Sequence, residues 1–171
     1  MKKYIFIVML LIAKLNGMSQ ESIKLELGYG LLTFRELENV FLYTSSSPGL
    51  VYAKLGIVLD DKIWVSALGA YDKTQLNASG NDEFYIETQS LLIYIHHTLF
   101  ERSRYKIYCA GGVGIQQQNK NLLTGITHQR IPAYEIVPVA LSYALFSKAA
   151  MHLEAGYGAI VPLKIAFVYN F

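Results

Sequence analysis

The chain has 171 residues, 53% of them hydrophobic and 16% charged, which suffices for one domain but is apolar for a protein that lives in water. Its formal net charge is +2, and its single cysteine, Cys109, excludes an intrachain disulfide and a multi-cysteine metal site. The continuous apolar run Tyr4 to Ala13 is too short for a membrane-crossing helix, which needs about 20 residues.

Residues 1–19 have the layout of a signal peptide. Lys2 and Lys3 form a basic start, Tyr4 to Ala13 an apolar centre, and Gly17 and Ser19 supply small residues before cleavage between Ser19 and Gln20. Losing Lys2, Lys3 and Lys14 takes the 15 basic residues to 12 against 13 acidic ones, a net of about −1. The basicity therefore belongs to the export signal and gives no argument for a nucleic-acid partner.

Eight stretches with strand character follow in residues 20–171: Ile23–Leu32, Leu50–Leu59, Ile63–Tyr71, Phe84–Leu99, Tyr105–Gln116, Ala133–Leu145, Met151–Tyr157 and Leu163–Phe171. Most approach the 9 to 11 residues, roughly, that a tilted strand needs to cross hydrocarbon. Their connections alternate in length. Asp60 to Lys62, Glu101 to Arg104 and Ser147 to Ala149 are tight, whereas Thr33 to Gly49, Asp72 to Glu83 and Gln117 to Pro132 are long. Sorting of this kind is the layout of a transmembrane barrel with short turns on the periplasmic side and long loops outside. Only the last connection, Gly158 to Pro162, departs from it by being short.

Within the strands the period is 2. The first sets Ile23, Leu25, Leu27, Tyr29 and Leu31 against Lys24, Glu26, Gly28 and Gly30; the second sets Val51, Ala53, Leu55 and Ile57 against Tyr52, Lys54 and Gly56. In the fifth, Ile107, Cys109, Val113 and Ile115 oppose Lys106, Tyr108 and the glycines Gly112 and Gly114. Met151, Leu153 and Tyr157 oppose His152 and Glu154 in the seventh, and Lys164 opposes the aromatic row of the eighth. The apolar rows predict the lipid face and the polar rows the lumen. In the third strand either Trp64 or Val65 fits the lipid face, and in the sixth Pro138 predicts a bulge or an edge. The fourth is read with Leu91, Ile93 and Ile95 outward and Ser90, Tyr94 and His96 inward, Phe84 to Thr88 standing above the membrane.

Aromatic residues gather at the tight turns, as an interfacial girdle requires: Phe100 and Tyr105, Phe146, Tyr169 and Phe171. The alternate run Leu163, Ile165, Phe167, Tyr169, Phe171 ends on the last residue. Together with the signal layout and the sorted loops, it resembles the small outer-membrane β-barrel proteins of the OmpA and OmpX type. That resemblance implies an all-β, eight-stranded antiparallel up-and-down transmembrane barrel in the cell outer membrane, monomeric, with a lumen filled by side chains. It further implies that Phe167, Tyr169 and Phe171 are read by the barrel assembly machinery, that periplasmic chaperones are partners, and that outer-membrane lipid and lipopolysaccharide surround the protein.

For chemistry, His152 and Glu154 lie two apart on one strand face, a spacing fit for a hydrogen bond, a proton relay or two metal ligands. A closed lumen obliges charges to pair, so a structural network of Glu26, Lys54, Lys106, His152, Glu154 and Lys164 is expected, with neither metal nor cofactor. Ala110 to Gly114 lacks the Lys and Ser/Thr of a phosphate loop, and His96 and His97 point to opposite faces. Some barrels of this type are lipid A deacylases or acyltransferases, and the deacylases carry a Ser two residues from the His; Glu154 stands there instead. In the first long loop Phe34, Leu37 and Phe41 recur at helical spacing before Tyr43, a candidate interaction surface or a rim helix. The expected role is structural or surface-interacting, without catalysis. A lipid A-modifying enzyme is the first alternative, and a secreted lipocalin-like carrier, apolar inside and polar outside, is the second.

Overall fold

The computed structural model describes residues 23–32, 45–46, 49–77, 83–122, 125–160 and 162–171. The signal segment and the loop candidates Phe34, Leu37, Phe41 and Tyr43 lie outside these residues. Eight antiparallel strands form the wall: β1 (Ile23–Leu32), β2 (Leu50–Val58), β3 (Ile63–Asn77), β4 (Glu83–Arg102), β5 (Tyr105–Leu122), β6 (Gly125–Ala144), β7 (Ala149–Gly158) and β8 (Leu163–Asn170). Each pairs with its sequence neighbour wherever a hairpin joins them, and β1 pairs with both β2 and β8. The sheet is thereby closed, and no strand along the barrel's mid-height is left with an edge.

Closure depends on the first and last strands. Lys24 stands opposite Asn170 and Leu27 opposite Phe167, and the Phe171 N–H donates to the Ile23 carbonyl at 2.9 Å. The aromatic terminus is thus pinned into the wall.

The alternation foreseen for β1, β2, β4, β5, β7 and β8 appears in the burial. Leu55, Ile93 and Val113 are 56%, 60% and 69% exposed, while Lys54, Tyr94 and Gly112 beside them face in. From Leu91 to Ile95 and the residues paired with them on β3 and β5, the outward row carries no Asp, Glu, Lys or Arg. So large an exposed apolar band has a favourable environment only in lipid. A soluble carrier needs the reverse sense, apolar in and polar out, and the inward Lys54 and Glu154 overturn that alternative.

Two strands left open by the sequence are resolved. Trp64 is buried and Val65 turns outward. In β6 the pairing steps from Ala110–Val137 to Tyr108–Ala140, so β6 carries one extra residue at Pro138 and Val139. The bulge places the residue without an N–H where no ladder bond is needed, and it reverses the phase. Ala133, Glu135 and Val137 face in before it, Ala140 and Ser142 after it.

The long connections differ from expectation. Asp72 to Asn77 continue β3, Gln117 to Leu122 continue β5, and Gly125 to Pro132 belong to β6. Above the lipid the outward face meets water and the inward face holds polar side chains such as Asp72, Thr74 and Gln118, so the apolar period that bounded the strands in the sequence stops while the backbone ladder runs on. The result is a barrel of unequal height. On one side β3 to β6 rise as a four-stranded sheet, and on the other β7 ends at Gly158, opposite Glu135. The short connector after β7 turns inward, burying Ile160, and its Ala159 N–H donates to the Tyr134 carbonyl at 2.7 Å.

Candidate functional site

The inward rows of five strands meet in one cluster of charge. Lys54 from β2 places its Nζ 2.9 Å from Glu26 Oε1 on β1 and 2.9 Å from Glu154 Oε1 on β7. Lys164 from β8 lies 2.8 Å from Glu154 Oε2 and 2.7 Å from Glu135 Oε1 on β6. Glu154 is the shared member, one oxygen on each lysine. All five side chains are essentially without solvent contact. Ionised groups in such a place are tolerable only because each charge has an opposite neighbour at hydrogen-bond distance.

Tyrosines complete the set. The Tyr52 hydroxyl donates to Glu26 Oε1 at 3.0 Å, Tyr108 to Glu154 Oε1 at 2.7 Å, and Tyr94 to Glu135 Oε2. Two of these rings fit because glycine stands beside them. A Cβ on Gly112 would lie 2.8 Å from the Tyr94 ring, and one on Gly28 would collide with Tyr52. His152 Nδ1 lies 3.1 Å from Glu26 Oε2 and 3.0 Å from the Tyr108 oxygen, which ties the imidazole to the same network.

Of the six residues expected here, five are brought together. Lys106 is the exception: it sits at the turn end of β5, is 43% exposed in its side chain, and pairs with Glu101 at 2.7 Å. Water reaches that level, so nothing compels its charge inward. Glu135, Tyr52, Tyr94 and Tyr108 were not foreseen as members. Glu135 was concealed by the phase reversal at Pro138; its signal was an acidic residue alternating with Ala133 and Val137 in an otherwise apolar run.

Glu26, His152 and Glu154 each bring one ligand atom within 4.8 Å of the others, a spacing a metal could use. The Lys54 ammonium occupies that ground, bonded to both carboxylates. Nearer the turn end, Trp64 stacks on His96 with centroids 3.4 Å apart and planes 10° from parallel, and His96 Nε2 lies 2.8 Å from Ser66 Oγ. A serine and a histidine at this distance suit nucleophile and base, but His96 Nδ1 has no partner among the described residues and so lacks the acid that would orient it. Both residues are buried.

No protein-family model matches the sequence, and no curated protein matches it. Solved structures do. The N-terminal β-barrel domain of Pseudomonas aeruginosa OprF superposes with a TM-score of 0.55 at 13% identity, over 89% of this chain and 98% of that one. Neisserial surface protein A, NspA, gives 0.54 at 11% identity, over 87% and 96%. At such identities the likeness is one of fold, and the fold is the eight-stranded antiparallel barrel of outer-membrane proteins.

Proposed function

We propose that this chain is a monomeric integral protein of the outer membrane that serves as a surface-interaction module and carries out no catalysis. The observation that carries the reading is the raised sheet. Its β6 edge, from Gly125 to Ala133, has no strand beside it among the described residues, because β7 ends opposite Glu135. Thr127, His128, Gln129 and Arg130 are exposed in succession, on both faces of the strand. The opposite edge, on β3, is partly taken, since Ser45 and Ser46 pair there with Leu76 and Gln75. An exposed row of backbone donors and acceptors adds an extended peptide as a further strand, with main-chain bonds supplying affinity and side chains selecting the sequence.

Support for the location comes from the apolar band, the girdle and the kinship of fold. Phe100 and Tyr105 are stacked at 6.5 Å, and Tyr169 and Phe171 meet edge to face at 5.0 Å, all near the tight turns. In that orientation lipopolysaccharide surrounds the raised sheet, and the assembly machinery and periplasmic chaperones handle the chain before insertion. Retention in membranes under alkaline carbonate, with mobility that changes on heating, tests the location.

Peptides selected by phage display against the barrel in nanodiscs test the edge. They should slow amide exchange at Thr127 to Ile131 and lose binding when the β5–β6 hairpin is shortened by removing residues 119–128. Peptides that bind the shortened barrel equally well would sink the proposal. Lipid A mass spectra, identical with and without the gene, are the outcome expected of a non-enzyme.

A further inference from the structure

At the tight-turn end the lumen opens into a cup of about 610 Å³, within the range of small-ligand sites. Its floor holds Trp64 and His152, and three turns form its rim. Six basic side chains line it: Lys24, Lys62, Arg102, Arg104, Lys106 and Lys148. The acidic ones, Asp60, Asp61 and Glu101, are fewer and largely committed. Asp60 Oδ1 accepts the backbone N–H groups of Lys62 and Ile63 at 2.7 Å each, and Glu101 is paired with Lys106. Of the remaining five cations, none has a carboxylate within ion-pair distance among the described residues. Lys24 is partly buried, and its ammonium stands 4.6 Å from the Trp64 ring centroid, turned to an aromatic face instead of an acid.

A concave surface with low-dielectric walls and an excess of one sign of charge concentrates the opposite ion. Arg102 and Arg104 offer planar forks suited to phosphate oxygens, and Lys62 and Lys148 reach the same opening from the two other turns. We infer that the cup is a binding site for a phosphorylated anion bearing more than one negative charge, gripped at the rim by Arg102 and Arg104 and met at the floor by Lys24. The lumenal cluster needs none of these side chains, and the raised sheet is at the other end of the barrel. The cationic side chains that would grip the anion are therefore distinct from both, with His152 shared between the cup's floor and the cluster, and the test does not depend on which membrane holds the protein.

Trp64 is the chain's single tryptophan, so its fluorescence reports the cup alone. Pyrophosphate titrated into the folded barrel in zwitterionic detergent should change Trp64 emission saturably. Sodium chloride at equal ionic strength should not. In the Arg102→Gln/Arg104→Gln variant, altered only at the exposed end of β4 and in the turn after it, pyrophosphate should bind at least about tenfold more weakly; Lys148→Gln provides a second, independent reduction. A response reproduced by sodium chloride, or unchanged in both variants, overturns the inference. Nanodiscs separate the sources of phosphate. If a lipid headgroup is the occupant, discs containing cardiolipin, whose headgroup carries two phosphates, show the bound emission before any addition and phosphatidylcholine discs do not. If a free anion is the occupant, both discs respond equally to added pyrophosphate.

Discussion

Lys54 Nζ and Glu154 Oε1 are 2.9 Å apart although 100 residues separate them in the chain. The pair spans the lumen from β2 to β7, and with Glu26, Lys164 and Glu135 it ties five strands together from inside.

Removing one partner leaves a buried charge without its counterion. Lys54→Met should therefore destabilise the barrel by about 3–5 kcal/mol, read from urea unfolding in micelles. Lys106→Met, which breaks only the exposed pair with Glu101, should cost less than about 1 kcal/mol. Equal effects of the two would contradict the placement of Lys106 outside the cluster.

The glycines of β5 should separate by face. A Cβ at Gly114 would collide with the Leu91 carbonyl on the neighbouring strand, and backbone cannot move aside as a side chain can. Gly114→Ala should lower stability by about 1–3 kcal/mol or more. Nothing lies within 4 Å of a Cβ at Gly111, which points to lipid, so Gly111→Ala should fold as the parent does, by heat-dependent mobility.

Deleting Phe171 removes both the N–H bond to Ile23 and the ring that packs on Tyr169. Folded yield in the membrane should fall. Binding per folded molecule, by peptide or by pyrophosphate, should stay at the parental value, because the terminal residue touches neither site.

The Asp60 carboxylate lies below its ordinary value of 3.8 because two backbone N–H groups stabilise its ionised form. With the folded value depressed, the turn's extra stability is present above 3.8 and is lost as pH falls through the lower folded value. A side-chain carbon titration of Asp60 by NMR should show a midpoint below 3.8. In Asp60→Asn the acid-dependent loosening of the 59–63 turn should vanish.

The barrel was legible because lipid imposes one rule on every strand. Where Leu25, Leu27, Leu55 and Leu153 recur at every second place, both the strand and its facing follow. Pro138 marked a place where the rule would break, and with it went the facing of Glu135. The heights of β3 to β6 were illegible for a different reason, since Asp72 to Asn77 and Gln117 to Leu122 have no apolar face to conserve a period. The cup could not be read from sequence either. Arg102 and Lys148 stand at two different turns 46 positions apart, and only closure of the wall brings them to one opening.

The unequal wall gives the molecule a compass bearing in the plane of the membrane. Among the described residues, a neighbour embedded beside β3 to β6 faces a palisade, whereas one beside β7 and β8 looks over a low sill toward the uncovered margin of β6. If a peptide adds to β6 as proposed, a neighbour on that side would compete with it: two copies lying with low sides together would screen each other, and copies lying back to back would both remain open.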